Sequence, residues 1–278
     1  MKDIVDNRQL ISLSEKLSIA RLAYSQNGLR WCTAFGVYYL ASALSNRAFS
    51  RMDRIRRRDG VPGLNSLELN RAIWKSWDWQ GGAGEEWSLD EAWKQSIVHA
   101  FIEKHVPAGS SVLEIGPGGG RWTVPLLERA SSYVGVDISP SCVEACRERF
   151  GDDGRAQFAV GSGNDLAPVA TGSVDALWSF DVFVHINQSE VDKYADEFDR
   201  VLKPGGIGII HHGAVGGSLG GWRSNMTQEA MLDILARRGL AVVESVEEWR
   251  DGDETFDVRE YRDRITVFSK PAGATAMN

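Results

Sequence analysis

Two stretches decide the fold: Val112-Leu-Glu-Ile-Gly-Pro-Gly-Gly-Gly120 and, after it, Tyr133-Val-Gly-Val-Asp-Ile-Ser139. Each starts as a short apolar run and ends in turn residues, glycines in the first and Asp137 with Ser139 in the second. Between them lies a helical pattern, WTVPLLERA (122–130), and after them another, SCVEACRERF (141–150). A strand, a tight turn and a helix, repeated, is the signature of a parallel sheet with helices on its faces.

The pattern continues towards the C-terminus. AQFAVG (156–161), VDALWSFDVF (174–183) and IGIIHH (207–212) read as further strands. EVDKYADEFDRVL (190–202) and TQEAMLDILARRG (227–239) read as helices, the second capped by Thr227 and closed by Gly239. LAVVESVEEW (240–249) and RITVFSK (264–270) follow with no helical pattern between them, so a terminal hairpin with one antiparallel strand is expected.

Ligands of an open parallel sheet bind beyond the carboxyl ends of its strands. Strand one ends in Gly116, Gly118, Gly119 and Gly120, where backbone can approach a ligand closely, and strand two ends in Asp137, a carboxylate suited to both hydroxyls of a ribose. A dinucleotide fingerprint G-x-G-x-x-G fails, because Arg121 stands at its third glycine. That disfavours a nicotinamide oxidoreductase.

These residues resemble the class I S-adenosyl-L-methionine-dependent methyltransferases, through VLEIGPGGG (112–120), the acid in VGVDIS and the turn LKPGG (202–206), over roughly residues 90–270. The resemblance implies an α/β, Rossmann-like class I methyltransferase fold with an N-terminal helical extension. It implies S-adenosyl-L-methionine as cofactor, with Glu114 and the Gly116–Gly120 loop at its methionine end, Asp137 on the ribose and Ile138 against the adenine. The third strand lacks the usual acid, so the adenine contact falls to Ser162, Gly163 or Asn164 in VGSGNDL, with Asp165 as a further option or a cap on the next turn. GEEWSLDEAWKQS (84–96) and WSFDVFVHI (178–186) are similar to small-molecule methyltransferases that include bacterial sugar-modifying enzymes. The N-terminal YYLASALSNRAFSRMDRIRRRDGVPGLNS resembles actinobacterial O-methyltransferases of polysaccharide biosynthesis, of the methylmannose type. Trp87 and Trp93 then cover the cofactor or the substrate entrance, with core packing as the alternative.

Methyl transfer to an alcohol needs alignment, exclusion of water and a base for the hydroxyl proton. Asp181, His185, His211 and His212 cluster where strands four and five end. Adjacent strand residues face opposite ways, so one of His211 and His212 is expected to face the site. His185 ranks first as base and His212 second. A divalent ion such as Mg2+ held by Asp181 and these histidines ranks below metal-free base catalysis. In the glycine-rich GAVGGSLGGWRSNMT, Trp222, Arg223 and Asn225 suit a polyhydroxylated or anionic acceptor.

The domain boundary is expected near residue 95, with a helical and Trp-rich extension (1–95) before the cofactor-binding domain (96–278). Ser88 and Glu91 fit a capping box. Arg47, Arg51, Arg54 and Arg58 share one helix face. Residues 1–75 hold 13 Lys/Arg against 6 Asp/Glu, while the whole chain carries −7. The basic face is a solvated surface or a peripheral contact for an anionic membrane. The acidic main body argues against nucleic acid as a partner. The apolar stretch Trp31–Leu44 is too short to span a bilayer and is expected to be buried. The opening MKDIVDNRQL has no apolar core, so no signal peptide is read, and three cysteines (Cys32, Cys142, Cys146) fit small buried thiols in a reducing cytoplasm. The expected partners are a small-molecule or saccharide acceptor and a second copy of the chain as a homodimer. The favoured function is O-methylation. The alternatives are N- or C-methylation of a natural product and a non-catalytic membrane-docking module.

Overall fold

The computed structural model describes residues 13–77, 79, 84–217, 223–258 and 261–272. The chain divides into two compact units between Val61 and Pro62. Residues 62–95, grouped above with the N-terminal extension, lie in the second unit.

In the first unit, helix α1 (Leu13–Asp59) is interrupted at Gly28, whose φ of 73° and ψ of 172° are not helical. Gly28 reaches such a φ without the steric penalty a Cβ would impose. Trp31, Phe35, Val37, Tyr38, Leu40 and Leu44 are exposed, which corrects the expectation of a buried helix. Their apolar side chains are not confined to one stripe, so no single packing face could bury them all. No helix among the described residues is long and apolar enough to cross a membrane.

The second unit is built on a seven-stranded sheet. Its strands are β1 (Ser110–Ile115), β2 (Ala130–Asp137), β3 (Ala156–Val160), β4 (Val174–Phe183), β5 (Leu202–His212), β6 (Ala241–Val246) and β9 (Arg264–Ser269), in the order β3-β2-β1-β4-β5-β9-β6. β1 to β5 are parallel, and β9 runs antiparallel between β5 and β6. The terminal hairpin is present, with an addition: the run read as one strand over 240–249 breaks at Glu247. A separate two-stranded sheet, β7 (Glu248–Asp251) and β8 (Glu254–Asp257), sits between β6 and β9. The break lets Trp249 turn inward, where it packs on Phe101 and donates from Nε1 to Ser96 Oγ.

Helices α2 (Leu67–Lys75), α3 (Glu91–Ile97), α4 (Thr123–Arg129), α5 (Pro140–Phe150), α6 (Gln188–Val201) and α7 (Gln228–Arg237) complete the unit. α3 starts at Asp90, whose Oδ1 accepts from Trp93 N at 2.8 Å; the cap is therefore Asp90 rather than Ser88. It widens into a π-turn over Val98–Glu103. Alternation along β1 sends Val112 to one face of the sheet, and Leu113 and Ile115 to the other. On the first face Trp93, Phe101, Leu126, Tyr133 and Trp178 form one core; on the second Leu177, Phe183, Val191, Phe198, Ile234 and Phe268 form another. Each such side chain, fully buried, contributes roughly 1.5–3 kcal/mol of transfer free energy. A sheet covered on both faces leaves its strand ends as the place for a site.

Candidate active site

A cavity of about 510 Å³ opens at the carboxyl ends of β1, β2 and β4. Its floor is the turn after β1. Gly116 has φ 72° and Gly118 φ 57°, in the left-handed region, and a Cβ on Gly118 would lie 2.7 Å from the Trp79 ring. The turn therefore needs glycine for its backbone and for the ring above it. Gly116, Gly118 and Gly119 line the cavity, whereas Gly120 packs against Phe150.

At the end of β2, Asp137 Oδ1 accepts from Ser139 N at 2.8 Å and Oδ2 from Gly118 N at 3.3 Å. Burial pushes its carboxyl up, and these backbone donors oppose the shift. Asp137 and Ile138 both line the cavity. Gly163 lies against Ile138 and Leu67, leaving a slot with apolar walls. Asn164 stands outside the cavity wall; its Nδ2 donates to Glu190 Oε2 at 3.0 Å, and Glu190 is the residue that reaches the cavity. Glu114 lies below the floor. Its Oε2 accepts from Tyr133 OH at 2.5 Å and from Thr123 Oγ1 at 2.7 Å, and burial raises its carboxyl to about 7.

Trp74, Trp77, Trp79 and Trp87 form a ring cluster with centroids 5.4 to 6.0 Å apart, and all four line the cavity. Edge and tilted contacts of this kind suit the aromatic quadrupole. Trp87 is thus a wall residue. Trp93 borders the cavity too but is buried, with its Nε1 donating to the Asp257 carbonyl. Asn65 and Asn70 both donate to the His185 carbonyl, tying the segment around α2 to the end of β4.

The four acid–base candidates separate. His185 lines the cavity, its ring 5.4 Å from that of Trp74. His211 lines it as well, stacked on Phe180 at 4.3 Å. His212 points the other way, with Nδ1 against the Gly213 carbonyl and Nε2 against Thr266 Oγ1, both at 2.8 Å. Burial lowers its pKa to about 4, so it is a neutral hydrogen-bonding group away from the cavity wall. Asp181 has φ 61° and lines the cavity, with Oδ2 2.5 Å from Arg121 Nη2 and Oδ1 3.1 Å from His211 Nδ1. Burial alone would raise its carboxyl, but Arg121 and His211 hold it well below the usual carboxylate range.

Arg223 lines the cavity, 3.0 Å from Asp263 Oδ2 and stacked 4.1 Å from the Tyr261 ring centroid. Asn225 does not. Its Oδ1 accepts from Gln188 N at 2.8 Å, satisfying a free amide at the start of α6. Trp222 falls outside the described residues. Among the described residues no group of three or more His, Cys, Asp or Glu side chains is arranged to hold a metal ion.

The sequence reading missed Tyr261 and Asp263. A signal for them exists: an antiparallel strand inserted beside parallel ones begins at the edge where the others end. The residues just before β9 therefore reach the site, like those just after β4.

Residues 113–210 match the family described as "Methyltransferase domain". An uncharacterized methyltransferase of Mycobacterium sp. (strain JLS) is 31% identical over 123 residues, which is 44% of this chain and 46% of that protein. The mitochondrial ubiquinone biosynthesis O-methyltransferase of Schizosaccharomyces pombe is 26% identical over 139 residues, 48% of this chain and 49% of that one. The chain thus spans about half the length of the curated relatives it matches. The solved structure of the N-methyltransferase NodS from Bradyrhizobium japonicum WM9, in complex with S-adenosyl-L-homocysteine, superposes with a TM-score of 0.55 at 16% identity, covering 74% of this chain and 98% of that one. That likeness is one of fold.

Proposed function

We propose that this chain, which carries a class I S-adenosyl-L-methionine-dependent methyltransferase domain, transfers a methyl group to a hydroxyl of a small molecule or saccharide. The observation that carries the choice of a hydroxyl is the Asp181–His211 pair, 3.1 Å apart at the cavity wall beside the glycine turn.

The residues present fit the cofactor. The glycine floor leaves room for a methionine tail, Asp137 retains lone pairs for ribose hydroxyls, and the Ile138–Gly163 slot takes a flat ring. Glu190, which Asn164 holds by a hydrogen bond, is a polar group on the cavity wall available to the adenine. When bound, S-adenosyl-L-methionine supplies a methyl group on a sulfonium that leaves as a neutral thioether. The acceptor oxygen forms the new C–O bond as its proton passes to a base. His211 is that base here, because Asp181 orients it and stabilises the imidazolium that forms. His185 is the second candidate, facing the same cavity beside the Trp74 ring. Asp181 is already matched by Arg121, which favours base catalysis over a divalent ion at this point. The Trp wall excludes water and offers faces on which a sugar ring can stack.

An amine acceptor would need little help from a base, so N-methylation is separated from O-methylation by the same experiment. Candidate acceptors are incubated with cofactor and screened by mass for a single methyl gain. His211→Ala is then expected to lower the single-turnover rate roughly 10²–10⁴-fold. Asp137→Ala is expected to weaken cofactor binding by about 1–3 kcal/mol in calorimetry. An unchanged rate in both His211→Ala and His185→Ala would rule out histidine as the base and leave the amine reading.

A further inference from the structure

One helix shares the cavity with the cofactor residues. Leu67, Asn70 and Trp74, spaced three and four along α2, line the cavity, so one face of the helix looks into it. Gly116, Gly118, Asp137, Ile138 and Gly163 line it from the strand ends. The cofactor half of the cavity is therefore a gap between α2 and the ends of β1, β2 and β3. α2 lies outside the segment that matches the family, residues 113–210.

What holds α2 in place is light. None of its side chains is buried. Asn70 Nδ2 donates to the His185 carbonyl at 3.1 Å, and Arg71 Nη2 to the Ser162 carbonyl at 2.9 Å. Ser139 Oγ and Ser141 Oγ donate to the carbonyls of Trp74 and Lys75 at 3.3 and 3.4 Å. These bonds touch the chain after β4, β3 and β2 in turn, and each is exposed or only partly buried. The flanks of the helix are firmer. Asn65 is 3% exposed, and its carbonyl and that of Pro62 both accept from Asn187 Nδ2. Trp79 is buried on the Gly118 turn. An element with few buried apolar contacts between two firm points opens locally at low cost.

We propose that α2 is the second wall of the cofactor site and also its gate, lifting to admit S-adenosyl-L-methionine and closing with Leu67, Asn70 and Trp74 towards it. Leu67 and Ile138 both reach the Gly163 backbone, at the slot that takes the adenine ring. A bound ring gives Leu67 the apolar contact that α2 otherwise lacks. Binding and closure then favour each other: the ligand covers the inner face of the helix, and the closed helix retains the ligand. Asn65 and Asn70 both hold the His185 carbonyl, so closure also fixes a residue of the cavity wall. This role rests on the cofactor reading and is independent of the acceptor.

The test uses the full chain and S-adenosyl-L-homocysteine, with no acceptor. Calorimetry establishes binding, and its absence would overturn the cofactor reading and the gate together. With the ligand bound, amide exchange across 67–75, read by mass spectrometry, is expected to slow roughly tenfold or more. Equal exchange in the free and bound chain would overturn the gate alone. A fixed wall would also gain protection, and Arg71→Ala separates the two. Arg71 is exposed and off the cavity wall, so its truncation removes a latch without removing a ligand contact. Release of radiolabelled ligand, chased with unlabelled ligand, should become roughly two- to tenfold faster, as expected for the loss of one hydrogen bond. Association should quicken with it, so that Kd moves less than the release rate. Unchanged release, or faster release with unchanged association, would overturn the gate, because the ligand would then pass without α2 moving.

Discussion

Glu114 and His212 are buried titratable groups shifted in opposite ways, and their effects on stability overlap. Burial raises Glu114 from 4.5 to about 7, so the folded chain keeps a proton that the unfolded chain releases. The stability it contributes is full below pH 4.5 and is lost as pH rises towards 7. Burial lowers His212 from 6.5 to about 4, so its contribution is full above pH 6.5 and is lost as pH falls towards 4. Between these limits the two slopes oppose each other, each up to about 1.4 kcal/mol per pH unit. Glu114→Gln is therefore expected to make stability fall on acidification across that window. His212→Gln should make it fall on alkalinisation. Urea unfolding at several pH values reads both slopes, and parallel profiles in the two variants would show that these groups are not linked to folding as described. The same two residues show what a single position reveals. The buried strand end of Glu114 was readable from its neighbours. His212 and His211 were not separable, because strand alternation gives opposite faces without saying which is which.

At the scale of elements, α1 and the Trp-bearing segment before α3 behave differently. Trp74, Trp77, Trp79 and Trp87 join the cavity wall, with Trp79 packed on the glycine turn. Among the described residues, α1 leaves twelve large apolar side chains exposed, from Leu17 to Ile55, and carries Arg47, Arg51, Arg54 and Arg58 on one exposed face. This supports the membrane-docking proposal as an addition to catalysis: apolar surface and basic charge together bind an anionic bilayer interface. The full chain is expected to sediment with phosphatidylserine-containing vesicles at low salt and to be released at high salt. Changing Arg51, Arg54 and Arg58 to Gln should abolish sedimentation. Wild type that stays in the supernatant at low salt would leave the arginines as a solvated face.

For the whole molecule, the two cores and every residue lining the cavity belong to the unit from Pro62 onward. A chain beginning at Pro62 is therefore expected to unfold in one cooperative transition and to bind S-adenosyl-L-homocysteine as the full chain does. Thermal unfolding by circular dichroism and calorimetric titration check this. Loss of binding in a folded truncation would show that α1 contributes to the site. The boundary expected near residue 95 followed the change from irregular to alternating sequence. The compact units divide between Val61 and Pro62, and Trp79 buries its ring against the Gly118 turn.

The sequence by itself determined the parallel sheet, the glycine turn from Gly116, Asp137 at the end of β2 and the resemblance that names the cofactor. These features are local, written in runs of a few residues whose period and turn chemistry have one reading. Only the tertiary structure decided which of His211 and His212 faces the cavity, that Asn164 and Asn225 both bond to α6, and that Asp263 stands behind His211. Those facts depend on the phase of β5 and on an antiparallel β9 inserted between β5 and β6. β9 brings Asp263 next to a residue 52 positions earlier in the chain. No periodicity encodes such a contact, because it follows from strand order and side-chain packing across the sheet.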